Sequence, residues 1–249
     1  DVERSRGLGD VYKRQASYWD AGEYISTSAK LQVGHPPGAP FFQMMGAVFS
    51  LFASNNESIA IAVNFLSVVS SAFVILFLFW STTLILKKIS KKNNFTNDTN
   101  ILLSSSIGAL AFTFSDSFWF NAVETEVYAL AMLFLSATFW CGLRWEKDFN
   151  NKRGDKWLLL ICFLIGLSFG VHFMAILTIP AIGMIYFFKK YEKITIKNFV
   201  LANIISVSIL LFIFKLLLPS TLSLFGQLEV FFVNSIGLPF NSGTIIAAF

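Results

Sequence analysis

The sequence predicts an all-α integral membrane protein, and three observations carry that reading. Only 14% of the 249 residues are charged, while 55% are hydrophobic and 16% aromatic, against about 25% charged in a soluble domain. Mean hydropathy is accordingly +0.64. The apolar residues fall in long runs, at 59–86, 101–114, 127–143, 157–188 and 199–218, on the scale of the roughly 20 residues a spanning helix needs. The cations gather in the short segments between those runs, so the net charge of +4 is no footprint of a nucleic-acid partner.

Taken in order, the segments divide as follows. Residues 1–15, DVERSRGLGDVYKRQ, are polar, Arg-rich and aperiodic, and they lack the apolar stretch of a signal peptide. They resemble translated sequencing-adapter sequence and are expected to be a non-native leader. The chain stops inside a new apolar run at 244–249, so both ends are expected to be truncated. Residues 16–58 are polar except for 39–52, which at roughly fourteen residues is short for a span and is expected to lie in the interface. The run 157–188 would be about 48 Å long as one helix, beyond a hydrocarbon core of about 30 Å. Cations flank both its ends, so it is expected to cross twice, with the break at Gly170-Val171-His172.

Loop charge then sets the orientation. Lys87, Lys88, Lys91 and Lys92 follow the first run, Arg144, Lys147, Lys152, Arg153 and Lys156 the third, and Lys189, Lys190, Lys193 and Lys197 the next. The positive-inside rule makes these loops cytoplasmic. Parity places 16–58 outside as a candidate catalytic loop, 59–218 as six crossings, and 219–249 as an external loop with the start of a further helix. Cys141 and Cys162 both fall inside apolar runs and read as packing residues rather than a disulfide or metal pair.

The candidate site begins at YWDAGEYISTSAKLQVGHPPGAP, residues 18–40. Asp20 and Glu23 stand at i, i+3 and share one face of a helical turn. Carboxylates held together push one pKa upward, which suits a general base. Tyr18, Trp19 and Tyr24 flank them as an interfacial belt would. Pro36, Pro37 and Pro40 fix the backbone and present His35 on a stiff extended piece. A solvated loop is the plainer account of any one of these residues, and it is their combination that marks the segment.

A second cluster, SDSFWFNAVETEVYAL, lies on the same expected side and carries Asp116, Asn121, Glu124, Glu126 and Tyr128. Glu124 and Tyr128 are i, i+4, and Glu126 points elsewhere. Glu126 is explained equally well as an acid favoured by a helix dipole. His172 is the ionisable residue inside 157–188, hence a functional candidate at membrane depth or a packed neutral imidazole. Lys215 ends a span; it either snorkels or holds a lipid phosphate. There is no Gly-rich phosphate loop, Cys/His metal set or nucleophile elbow.

These segments, together with GLSFGVHFMAILTIPA and LEVFFVNSIGLPFNSG, resemble a bacterial multipass family related to protein O-mannosyltransferases, grouped with the GT-C glycosyltransferases. The resemblance covers 16–249 and implies a GT-C-like helical bundle with an external first loop, juxtamembrane helices and a first helix absent here. It implies Asp20 as the loop carboxylate acting as catalytic base, and it likens His35-Pro36-Pro37 to a family His-Pro-Pro. Two departures stand out. The family's adjacent Asp-Glu is here Asp20 and Glu23 with Ala21-Gly22 between, and residues 122–128 offer no cation where relatives place an arginine for the lipid phosphate. Lys30, His35, His172 and Lys215 are the candidates for that role.

The expected activity is transfer of a sugar, mannose by resemblance, from a polyprenyl-phosphate donor to a protein Ser/Thr or other hydroxyl acceptor, in a bacterial inner membrane with the site facing the periplasm. Asp20 and Glu23 are the expected catalytic pair, with Glu124, Glu126 and Tyr128 among the substrate-binding residues. Partners are the lipid-linked donor, the acceptor and membrane lipid; no cofactor or metal is required by the chemistry. The rival readings are a polytopic lipid or solute transporter, for which intramembrane ionisable groups are equally natural, and a structural subunit of an envelope complex.

Overall fold

The computed structural model describes residues 20–36, 38–93, 97–151 and 153–248. The expected leader 1–15, Tyr18, Trp19, Pro37 and Lys152 lie outside the described residues, as does the side chain of Lys92. All regular structure among the described residues is helical, so the chain is an all-α multipass membrane protein. Two units are distinguished, the first ending at Thr178 and the second beginning at Ile179.

In the first unit, α1 (Ala21–Lys30) and α2 (Pro40–Ser50) precede a short 3-10 turn, Asn56–Ser58. There follow α3 (Ile59–Asn93), α4 (Asp98–Thr113), α5 (Asp116–Ala122), α6 (Val127–Asp148), α7 (Lys156–Ser168) and a 3-10 segment, Phe173–Thr178. The chain leaves α1 through Leu31 in the left-handed region (φ 49°), whose N–H reaches back to the Ser28 carbonyl. Proline at the first position of α2 fits a helix start, since its missing N–H is one that a helix leaves unpaired anyway.

α2 is fastened at both ends of its inner face. The Phe41 and Phe42 N–H groups donate to the Gly170 carbonyl at 2.7 and 3.2 Å, so the free donors of one helix start meet the carbonyl exposed where α7 ends. The approach requires glycine, because a Cβ at position 170 would stand 2.7 Å from the Phe41 Cβ. Likewise a Cβ at Gly46 would meet the Ser28 Oγ at 2.5 Å, which lets α1 lie close on α2. Phe42, Ala131 and Ala175 are buried at the centre of a core that also takes in Leu66, Val127, Leu130 and Phe134. The break at 170–172 is present, with α7 ending at Ser168 and the chain re-entering helix at Phe173.

Four helical stretches are long and apolar enough to cross a membrane: Asn56–Lys91, Val127–Asp148, Phe173–Lys190 and Ile196–Ser235. Asp98–Thr113 with Asp116–Ala122 makes a fifth if the pair, bent by 71°, is one span. The remaining expected crossing falls on α7, whose 13 residues reach about 20 Å, less than a hydrocarbon core of about 30 Å.

The second unit contains α8 (Ile179–Lys190), α9 (Ile196–Phe212), α10 (Leu218–Val230) and α11 (Ser242–Ala248). Here the expectation of a loop from residue 219 needs correction, since the chain stays helical from Ile196 to Ser235. Pro219 breaks nothing because a π turn at Ile213–Leu217 comes just before it and Pro219 occupies the first turn of α10. The chain then turns at Gly237 (φ 81°) and Asn241 (φ 72°). The Glu229 carboxylate holds that turn, accepting from the N–H groups of Asn241 and Thr244 at 2.5 and 2.9 Å.

Candidate functional site

The site is assembled where two helices begin. Asp20 is the N-cap of α1 and Glu126 the N-cap of α6, and neither side chain caps its own helix. Glu126 instead sends Oε1 across to the Asp20 backbone N–H, at 3.2 Å and 106 positions away in sequence. On the first turn of α1, Glu23 faces the same side as Asp20, as the i, i+3 spacing predicts.

His35 closes the cluster from the segment between α1 and α2. Its N–H donates to Glu23 Oε1 at 2.6 Å, and its Nδ1 lies 2.9 Å from Glu23 Oε2. A carboxylate only accepts, so Nδ1 carries the proton and Nε2 is turned toward Asp20 Oδ2, 3.6 Å away. Gly34 allows this bend: a Cβ there would meet Gln43 Nε2 at 2.8 Å and Glu23 Oε1 at 3.0 Å. Gln43, on α2, in turn donates to Thr27 on α1 at 3.1 Å.

The electrostatics follow from these contacts. Hydrogen bonds from the His35 backbone and ring hold the Glu23 carboxyl below its usual range. The His35 imidazole is raised above its ordinary value of 6.5, first by the Glu23 hydrogen bond and then by the charges of Glu23 and Asp20. Burial pushes Glu126 up to about 7, with the Asp20 and Glu124 charges adding to it. Both Glu124 and Glu126 are only 7% exposed. Tyr24 is pushed up to about 12 by burial and by the negative charges of Glu126, Asp20 and Glu23.

Beside this cluster the Tyr128 and His172 rings pair at 5.5 Å between centroids. The His172 N–H donates to the Ser168 carbonyl at 2.8 Å. Tyr128 also lines a cavity of about 370 Å³, whose other walls include Phe112, Phe118, Met132 and Met174, with Ser115 and Asn121 among its polar lining. Asn64 of α3 fixes the loop carrying Glu124: its amide donates to the Val123 carbonyl at 2.6 Å and accepts from Thr125 Oγ1 at 3.3 Å.

Asp20, Glu23, His35 and Glu126 are thus brought together, with Glu124 adjacent and the Tyr128–His172 pair alongside. The i, i+4 reasoning for Glu124 and Tyr128 does not apply, because the helix begins only at Val127. Lys30 is exposed in the last turn of α1, about 15 Å along the axis from Asp20. Lys215 belongs to the second unit, exposed beside the Phe214 ring. Tyr24, Gln43 and Asn64 were not singled out by sequence as site residues. Asn64 carried a usable signal, an amide inside the apolar run 59–86.

Asp20, Glu23 and His35 could also hold a cation, offering one ligand atom each, all within 4.8 Å of one another. Two carboxylates and an imidazole suit a divalent ion whose remaining positions are filled by water or substrate.

Comparison with known proteins bears on this arrangement. Residues 20–195 match the family described as the protein O-mannosyl-transferase TMEM260 N-terminal domain. The chain belongs to that family. Among curated proteins, protein O-mannosyl-transferase tmem260 of Dictyostelium discoideum is 26% identical over 211 residues, covering 78% of this chain and 24% of that protein. Protein O-mannosyl-transferase TMEM260 of Mus musculus is 28% identical over 155 residues, 60% of this chain and 19% of that protein. The chain therefore spans about a quarter or less of the length of these relatives. No solved structure matches. The family match begins at Asp20 itself and takes in every member of the cluster.

Proposed function

We propose that this chain carries the reaction centre of a membrane glycosyltransferase. The enzyme moves mannose from a polyprenyl-phosphate donor to a protein Ser or Thr hydroxyl, at the periplasmic face of a bacterial inner membrane. The sugar and acceptor are taken from the names of the relatives, and the face from the cation-rich loops on the other side. The observation that carries the reading is the cluster itself. Asp20 stands at a helix start with its carboxylate unspent on capping, beside a His35 ring that Glu23 fixes in place.

In the reaction, the Asp20 carboxylate takes the proton of the acceptor hydroxyl as that oxygen attacks the anomeric carbon. The new glycosidic C–O bond forms as the bond from that carbon to the phosphate oxygen breaks. The polyprenyl phosphate leaves with the electron pair, and the configuration inverts. Glu23 orients His35, and the His35 ring, whose cationic form Glu23 and Asp20 favour, adds positive charge where the phosphate gains negative charge. The apolar cavity beside Tyr128, with its polar lining of Ser115 and Asn121, suits a sugar presented from the lipid side.

General-base catalysis contributes about 10²–10⁴-fold, so Asp20→Asn should cost that much. The complete gene product carrying this chain is expressed in a deletion strain, and envelope glycopeptides are read by mass spectrometry at matched membrane levels. Wild type is expected to restore hexose on Ser or Thr, and the variant is not. Equal restoration by both would move the base away from Asp20.

A further inference from the structure

A buried carboxylate at an N-cap ordinarily accepts from the N–H groups of its own first turn. Glu126 makes no side-chain cap on α6: the Val127 N–H only favours its charge, and its Oε1 reaches across to the Asp20 N–H. It does so although 93% of its surface is lost to the interior, where an acid needs a strong reason to stay. The bond joins the starts of α1 and α6, and the loop that delivers Glu126 is itself pinned by Asn64 on α3. Nothing in the helix-dipole explanation of Glu126 calls for that crossing, because the same charge would serve α6 from a capping geometry.

We propose that Glu126 is the positioning residue of Asp20: its carboxylate holds the Asp20 backbone, and so decides where the base stands relative to the attacking hydroxyl. The inference rests on the transferase reading and assigns Glu126 a role distinct from contact with substrate. The groups that interact with Glu126 are Asp20 and Tyr24 from the start of α1, His35 from the segment after it, and Glu124 from its own loop. Most of these are acids or phenols.

The test compares Glu126→Ala, Glu126→Gln and Asp20→Asn in the complete protein, purified in detergent, with a synthetic polyprenyl-phosphate mannose and a Ser/Thr peptide. Loss of the hydrogen bond in E126A should lower kcat about 10- to 100-fold, the scale of an ångström-sized misplacement, with KM for both substrates nearly unchanged. The amide in E126Q can still accept from Asp20, so it should recover kcat to within a few-fold at pH 8.5. Amide exchange at the start of α1 should quicken in E126A and not in E126Q, which checks the positioning without turnover. A raised KM with intact kcat in E126A would make Glu126 a substrate contact and overturn the inference, as would unchanged amide exchange at the start of α1 in E126A. Retained activity in D20N would instead overturn the transferase reading on which it stands.

Discussion

The two ends of α6 bring acids and aromatic rings together in opposite ways. At the far end, Arg144 lies 3.6 Å from Asp148, over the rings of Trp140 and Trp157 at 5.8 and 5.2 Å. Asp148 also accepts from the Trp157 indole at 2.9 Å, and Lys88 pairs with Glu146. Each acid there has a cation against it, and the rings cover the guanidinium. At the near end Asp20 and Glu23 flank the His35 imidazole, and Glu126, almost fully buried, bonds the Asp20 N–H. Matched charge of the first kind fastens helices. A buried acid such as Glu126, held by a backbone N–H rather than by an ion pair, is costly to keep, and its retention points to chemistry.

That contrast can be broken in several ways. The largest effect after those on Asp20 and Glu126 is expected from Glu23→Gln, which weakens the hold on the His35 ring. Transfer should fall about tenfold, with His35 titrating at a lower pH by NMR. An unchanged His35 titration would show that Glu23 does not set the ring. Next comes Gly170→Ala, which places a methyl 2.7 Å from the Phe41 Cβ and should lower stability by about 1–3 kcal/mol, the usual range for overpacking. Asp148→Asn at the far end should cost about 1 kcal/mol, as partly exposed ion pairs do, and leave turnover alone. Smallest of all is the effect of chelation. Transfer should survive EDTA, because a lipid phosphate is already a good leaving group. Loss of activity restored by a divalent ion would place that ion on Asp20, Glu23 and His35.

The pH dependence of stability separates the groups of the near end. His35 is raised above 6.5, so its stabilising contribution is complete below that value and is lost as pH rises through the raised one. Glu23 is lowered below 4.5, so its contribution is present above 4.5 and is lost as pH falls through the lowered value. The clamp between them is therefore firmest from weakly acidic to neutral pH. Glu126 runs the other way. Its folded value of about 7 exceeds the ordinary 4.5, so the fold loses stability as pH rises between them. Thermal melts of wild type and E126Q should diverge across that window, with wild type losing ground as pH rises. Parallel curves would mean that Glu126 is not strained by burial.

Much of the fold was legible in the sequence because apolar length and loop charge are local signals. The runs at 59–86 and 127–143 became α3 and α6, and Gly170 marked the break because the α2 start must approach it closely. Pro219 misled, since a single residue does not reveal the π turn that accommodates it. In the site, the pairing of Asp20 with Glu23 could be read from spacing, and His35 from its stiff flanks. The bond from Glu126 to Asp20 could not. It spans 106 positions, and a helical spacing rule applied to 124–128 misplaces Glu126 once the helix starts at Val127. Tyr24 was visible only as a belt aromatic because its proximity to Glu126 depends on that same long-range contact.

The most direct test sets the two ends of α6 against each other in one assay. Asp20→Asn and Asp148→Asn are compared for turnover of polyprenyl-phosphate mannose and for melting temperature in the same preparation. Asp20→Asn is expected to lose turnover about 100-fold or more at a melting temperature near wild type, and Asp148→Asn to melt earlier at full turnover. If instead both variants keep turnover and differ only in melting, the acid-rich end is a fastening like the other and the catalytic assignment fails.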